Sequence, residues 1–244
     1  MSDRAAVLAL YLDGPLQSWG FQSRFEQRTT LGLPTRSGIL GMLLAAMGVP
    51  KDEASGLERL SPLHMEVVRI GSSKRVTDFH TVGGGMGPTD DRSRVPSTAD
   101  GGAGRTVVTR REYLADARFG VLLEGDDALL TECKSALSDP KWGVWLGRKS
   151  CIPASPLVLG VFANRDEALA ALAKASGRKV TQRMVEVTRF EEGTDTLTDV
   201  PEDFASRTYR ARRVLVEETE TGAPRGGPSS DEAPPEDARP LEDE

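Results

Sequence analysis

Ala6-Val-Leu-Ala-Leu-Tyr-Leu12, closed by Asp13-Gly14-Pro15, is the stretch of this 244-residue chain on which the fold turns. Seven apolar residues in a row, of strand length and ended by a turn signal, describe a strand buried on both faces. Such a strand is central in its sheet. After a polar and aromatic loop, Leu16 to Pro34, the segment Thr35-Arg-Ser-Gly-Ile-Leu-Gly-Met-Leu-Leu-Ala-Ala-Met47 predicts a short buried helix. Thr35 or Ser37 serves as its N-cap, and Gly48 and Pro50 stop it. Gly38 and Gly41 would weaken an exposed helix, so they point to close approach of a neighbouring backbone or a ligand.

Downstream, Met65–Ile70 and Val76–Val82 read as strands, and 83–104, with seven glycines and two prolines, as a mobile loop. Strand character returns over Thr106–Leu114 and Phe119–Glu124. Asp126–Ser138 keeps helical spacing behind an Asp cap, and Leu157–Phe162 is again a strand. The order is β-α-β, an inserted hairpin, then β-α-β, which fits a ferredoxin-like α+β domain. Beyond it, Asp166–Ala175 reads as a helix, and Val180–Phe190 and Arg212–Val216 as strands of a small C-terminal β-rich subdomain. The expected boundaries are 1–163 for the first domain, 164–216 for the subdomain and 217–244 for a tail.

With 38% apolar, 28% charged and 5% aromatic residues, the composition is that of one or two soluble globular domains. The longest apolar run, Ile39–Val49, is about half of the ~20 residues a membrane span needs. Asp3 and Arg4 argue against a signal peptide, which places the chain in the cytoplasm. Cys133 and Cys151 have no partners at ligand spacing, and the only histidines are His64 and His80, so reduced thiols are expected and no metal or other cofactor.

Charge is segregated. Residues 217–244 hold ten acids and two arginines, net −8, while the first 216 residues hold 29 basic and 27 acidic groups, net +2. Rich in Pro, Gly, Ser and acid, the tail cannot bury enough surface to order itself. It reads as a solvating tail, or as an acidic mimic that covers a basic groove until nucleic acid arrives. In the body, arginines and lysines cluster: Arg105, Arg110, Arg111 and Arg118; Arg148-Lys149; Arg207, Arg210, Arg212 and Arg213. Such clusters suit a polyanion as well as a mixed surface.

Gly32–Gly38 is not a P-loop, because Ile39 stands where the phosphate-binding Lys belongs, and Gly83-Gly-Gly-Met-Gly-Pro88 lacks the helix of a dinucleotide site. Gly14-Pro-Leu-Gln-Ser-Trp-Gly20, leading through Arg24 and Arg28 into Leu33-Pro-Thr-Arg-Ser-Gly38, makes a plausible anion site instead. Helix-start N–H groups and the Arg36 fork suit phosphate, Ser37 adds a hydroxyl, and Trp19 offers a face for a base. Equally, Trp19 fits a core and Ser37 a simple cap. Leu146-Gly-Arg-Lys-Ser-Cys151 carries similar chemistry in Arg148, Lys149 and Ser150, with Gly147 letting backbone approach a ligand. His80 in Asp78-Phe-His-Thr81 is a strand histidine or a general acid/base.

In this order, Gly14–Gly20, Pro34-Thr-Arg-Ser-Gly-Ile-Leu-Gly41, Asp78-Phe-His-Thr-Val82, Arg111-Glu-Tyr-Leu-Ala-Asp116, Leu146–Cys151 and Phe204-Ala-Ser-Arg207 resemble the CasD family of type I-E CRISPR Cascade subunits, within the RAMP superfamily of RNA-binding proteins. The resemblance spans roughly residues 6–216. It implies a modified ferredoxin or RRM-like domain with a β-hairpin thumb, placed here at about 82–109. It also implies a non-catalytic subunit that binds and caps the 5′ handle of the CRISPR RNA, contacts the backbone and large subunits, and meets target DNA only through the complex. Gln17 and Trp19 would then sit beside the handle. Arg36, Ser37 and Gly38 would hold its phosphates, with Arg24, Arg28, His80, Arg148, Lys149, Ser150 and Arg207 around them and Arg105, Arg110 and Arg111 on the thumb or its base. The rival readings are a metal-free endoribonuclease using His80 and a protein-binding scaffold without RNA contact.

Overall fold

The structure is a computed structural model and describes residues 5–23, 26–82 and 107–219. Arg24, Arg105, the glycine-rich loop and the tail from residue 220 therefore lie outside the described residues. Among those described, the elements run β1 (Ala5–Asp13), β2 (Leu16–Gln17), β3 (Trp19–Gly20), β4 (Gln27–Arg28), β5 (Thr30–Leu31), α1 (Arg36–Met47), α2 (Ala54–Leu60), β6 (His64–Ile70), β7 (Lys74–Val82), β8 (Val107–Ala115) and β9 (Arg118–Asp126). There follow α3 (Asp127–Ser138), β10 (Val158–Phe162), α4 (Arg165–Ser176), β11 (Val180–Val187), β12 (Asp195–Asp203) and β13 (Thr208–Glu218).

β1 is an interior strand buried on both faces, as its composition predicts, but not the central one: it is second of seven in its sheet, hydrogen-bonded antiparallel to β9 on one side and to the edge strand β10 on the other. Because side chains alternate along a strand, Leu8, Leu10 and Leu12 enter the core beneath α1 and α3, while Val7, Ala9 and Tyr11 pack beneath α4. Leu8, Leu10, Leu12, Ile39, Leu43 and Phe119 are fully buried. Each contributes about 1.5–3 kcal/mol of transfer free energy, which is why an uninterrupted apolar run is stable only here.

The order β10-β1-β9-β6, with α1 between β1 and β6 and α3 between β9 and β10, is the ferredoxin-like α+β arrangement. The hairpin β7–β8 is inserted between β6 and β9, and its paired legs reach from Lys74 to Ala115, beyond the expected 82–109 at both ends. The sheet does not end at β6. It continues through β11, β13 and β12, so one hydrogen-bonded sheet runs from the ferredoxin-like portion into the segment 164–216. Glu217 and Glu218, read from sequence as tail, close β13 instead, with Arg183 reaching the Glu217 carboxylate at 3.4 Å.

α1 begins as its sequence predicts. Thr35 is the N-cap, its hydroxyl accepting from the Gly38 N–H at 3.2 Å, and the helix stops at Gly48 with Gly48 N–H donating to Ala45 and Val49 N–H to Leu44. Cys133 and Cys151 are buried and unpaired, and burial pushes the Cys133 thiol up to about 12, leaving it protonated and unreactive. Among the described residues no helix is long and apolar enough to cross a membrane.

α4 is tied to the sheet by charge as well as by Ala168 and Leu172. The Glu66 carboxylate, 7% exposed, accepts two bonds of 2.6 Å from Arg165 and one of 2.7 Å from Arg183. Burial alone would raise its pKa, but the two guanidinium groups outweigh that and hold it below the ordinary value. A depressed folded value means that this stabilisation is complete above the ordinary carboxylate range and is lost as pH falls through the lowered value. Glu66→Gln should therefore cost about 2 kcal/mol at pH 7, discounted for the half-exposed arginines, with the gap to the parent closing in denaturant titrations taken below about pH 4.

Candidate nucleic-acid interface

The start of α1 differs from its reading as an open anion cradle. Arg36 is buried: its Nη2 donates to the Ser61 and Leu63 carbonyls at 2.8 Å each, and its Nη1 pairs with Glu186 at 3.2 Å. Its backbone N–H donates to the Asp199 carboxylate at 2.7 Å, and Asp199 in turn holds Arg212 through bonds of 2.7 and 2.9 Å. The protein thus supplies its own anion to the helix N-terminus, where partial positive charge favours one. Arg36 and Arg212 are members of a buried ion network behind the surface, not forks presented to a ligand.

Gln17 and Trp19 are likewise interior. The Gln17 amide donates to the Leu12 and Ala117 carbonyls at 3.0 and 2.7 Å and accepts the Trp19 indole N–H at 3.2 Å, which satisfies it without a ligand. Trp19 is 1% exposed, so its ring offers no open face to a base. Gly38 explains why: a Cβ there would lie 2.9 Å from the indole ring, so the glycine admits Trp19 to the helix. Gly147 has the same kind of role. Its φ is +96° and a Cβ would fall 1.7 Å from the Ser18 carbonyl oxygen, so the close approach it permits is to the chain's own backbone.

In front of this packed layer lies an open groove of about 620 Å³. Its lining takes in Ser18, the buried Trp19, Ser37 and Gly38 of α1 and Gly147, together with Arg28 of β4, Arg148, Phe204 and Arg207 from the β12–β13 connection, and Tyr209 of β13. A second cavity of about 450 Å³ adjoins it past Ser23, Arg28, Ser37, Arg207 and Tyr209. Among the described residues the only carboxylate on either lining is Asp199, in the second cavity, already neutralised by Arg212. Three guanidinium groups, several hydroxyls and two aromatic rings around one groove make a surface for a phosphate–sugar backbone with room for a base.

Arg148 has a second task here. Its Nη1 donates to the Glu112 carbonyl and its Nη2 to the Arg28 carbonyl, both at 2.8 Å, and its guanidinium lies over the Tyr113 ring, 4.7 Å from the centroid. It bridges β8 and β4, which pair in parallel with Arg28 opposite Arg111. Arg207 adopts φ +60° in a turn where the Asp203 carboxylate accepts from the Ala205 and Ser206 N–H groups. Lys149 and Ser150 are exposed beside Arg148 but do not line the groove.

The hairpin carries a second group of expected residues. His80 faces Thr109 in the β7–β8 register and is not among the groove's lining residues. Arg110 lies over the exposed Phe79 ring at 5.4 Å, and Arg111 donates from Nε to the Thr109 hydroxyl at 3.0 Å. Sequence reasoning did not single out Tyr209 or Ser23. The signal for Tyr209 was its place in Arg207-Thr-Tyr-Arg210, an aromatic residue between basic ones.

Comparison with known proteins places this architecture. Residues 7–215 match the family described as CRISPR-associated protein (Cas_Cas5). The chain is 35% identical over 224 residues to the CRISPR system Cascade subunit CasD of Escherichia coli (strain K12), covering 84% of this chain and 94% of that one. Among solved structures it is similar to a chain of a CRISPR RNA-guided surveillance complex, with a TM-score of 0.73 and 35% identity over 87% of this chain and 90% of the other. A structure titled as that of a Cas protein matches with a TM-score of 0.60 and 31% identity, covering 87% and 94%.

Proposed function

The chain belongs to the CRISPR-associated Cas5 family and is a Cascade subunit, and from that premise we propose that it binds the 5′ handle of a CRISPR RNA without cleaving it. The observation that carries this reading is the groove in which Arg28, Arg148 and Arg207 converge, while Asp199, the one carboxylate among the described residues lining the adjoining cavity, is already paired. Phosphates of the handle lie against these arginines, the hydroxyls of Ser23 and Ser37 bond sugar or phosphate oxygens, and Tyr209 takes a splayed base. Arg28 is the β-register neighbour of Arg111, so the basic surface continues from the groove to the base of the hairpin. The backbone and large subunits of the complex are the protein partners on this reading, and target DNA is met only through them. Placement of His80 on the hairpin, off the groove, supports a binding role over RNA cleavage.

Arg28→Glu with Arg207→Glu, introduced into the assembled complex, should lower guide-RNA retention about 30-fold at physiological salt, since two phosphate contacts are reversed in sign. Arg178→Glu with Lys179→Glu changes net charge equally at an exposed site away from the groove and serves as control. Equal RNA content in both preparations, measured per subunit, would overturn the proposal.

A further inference from the structure

The segment Arg111-Glu-Tyr-Leu-Ala-Asp116 stands out in the sequence, and the reading above uses only its arginine. Glu112, on β8, is on the lining of neither cavity, yet it touches three segments that carry groove residues. Its carboxylate accepts the Thr30 N–H at 3.1 Å and Arg75 Nη1 at 2.5 Å, and the same Arg75 nitrogen donates to the Thr30 carbonyl at 2.7 Å. Thr30 follows Arg28 by two residues, and its hydroxyl accepts the Trp19 N–H at 2.7 Å. The Glu112 carbonyl accepts the Ser18 hydroxyl at 3.2 Å and Arg148 Nη1 at 2.8 Å, and Arg148 reaches from there to the Arg28 carbonyl. β4 is two residues long and pairs with β8 over those two, so these side-chain bonds are a large share of what fixes Arg28.

We infer that Glu112 is a positioning residue for RNA: an acid whose loss weakens the binding of an anion, because its carboxylate holds the β4–β5 segment that presents Arg28. The inference rests on the groove being the RNA site. Counting charge alone gives the opposite result. Removing a carboxylate beside a basic groove would tighten RNA binding, by no more than about twofold for a group paired with Arg75 and screened by salt. It would do so equally for every neutral replacement. Positioning instead ranks the replacements by whether they still accept the Thr30 N–H. Glutamine keeps that acceptor and loses the ion pair with Arg75. Alanine loses both, and Arg28 is then no longer held ready for a phosphate.

Equilibrium binding of a labelled single-stranded RNA to the full chain, over a range of salt concentrations, tests this. Glu112→Gln should bind about threefold and Glu112→Ala about tenfold more weakly than the parent, although both carry the same net charge. For Glu112→Ala the slope of log affinity against log salt should be shallower by about 0.7, the loss of one phosphate contact to a single strand. Arg28→Ala should show the same change of slope, and adding Glu112→Ala to it should weaken binding by less than about twofold more, since both remove one contact. A residue that only stabilises the fold would shift the urea midpoint and leave the slope of the folded protein unchanged. Equal or tighter binding by both Glu112 variants, an unchanged slope, or additive losses overturns the inference. Glu112→Gln is close to the parent in shape at a side chain 29% exposed, so it keeps the comparison with the parent if Glu112→Ala does not fold. If Arg28→Ala weakens binding while the Glu112 variants match the parent, the inference alone fails. If Arg28→Ala itself matches the parent, the RNA reading of the groove fails and the inference falls with it.

Discussion

Asp199→Asn should lower the unfolding free energy of the chain by about 3–5 kcal/mol, a drop of roughly 10 °C in midpoint temperature. The carboxylate and the Arg212 side chain it holds are each 2% exposed, so the guanidinium left behind has no water to turn to. Two further consequences add to the loss. The Arg36 N–H at the start of α1 loses its anionic acceptor, and the repulsion between Arg36 and Arg212 is left to Glu186 alone, which lies 3.2 Å from one and 3.7 Å from the other. Glu186→Gln should cost markedly less, because that side chain is 28% exposed and water replaces part of the interaction. Asp199→Leu combined with Arg212→Met should recover most of the deficit, leaving about 1 kcal/mol for the unsatisfied N–H. Urea titration of the four proteins checks the series, and a single Asp199→Asn variant as stable as the parent would show that the network is not what fastens β12 and β13 to α1.

Gly147→Ala should cost about 3 kcal/mol, measured the same way. The added methyl has nowhere to go: the backbone sits at φ +96°, and the Ser18 carbonyl oxygen lies 1.7 Å from the ideal Cβ position. Relief requires the 146–151 turn to move away from β2–β3, breaking the Ser18 N–H bond to the Leu146 carbonyl at 3.0 Å. Backbone strain of about 1–3 kcal/mol plus one lost hydrogen bond gives the estimate. Because Arg148 is the next residue, the same variant should also lose RNA retention, whereas Lys149→Ala should alter neither stability nor shape.

What could be read from sequence divides by the range of the cause. β1 and the ends of α1 are decided by residues within a few positions of one another, an apolar run, a Thr cap and a glycine stop, and the structure reproduces them. Arg36 was misassigned because its partners Glu186 and Asp199 lie 150 and 163 residues away in sequence. In isolation, an arginine at a helix start looks like a phosphate fork. β12 escaped notice for a local reason: Asp195-Thr-Leu-Thr-Asp-Val-Pro-Glu-Asp203 reads as a polar loop, and only as an edge strand with bulges can a sheet accommodate its proline. α2, seven residues long, is too short for its periodicity to be distinctive. In the groove, Arg28, Arg148, Arg207, Ser37 and Gly38 were recognised one segment at a time, while their convergence depends on β4, the 146–151 turn and the β12–β13 connection meeting in space.

Arg148 clamps two strands by their carbonyls while presenting charge to the groove, and the two duties cannot be separated by substitution. A lysine would keep the charge but release one strand, since a single ammonium on a flexible stem does not reproduce a rigid two-carbonyl fork. Evolution and experiment alike are left with Arg28 and Arg207, at the margins, as the dials on which grip can be turned up or down without reshaping the vessel.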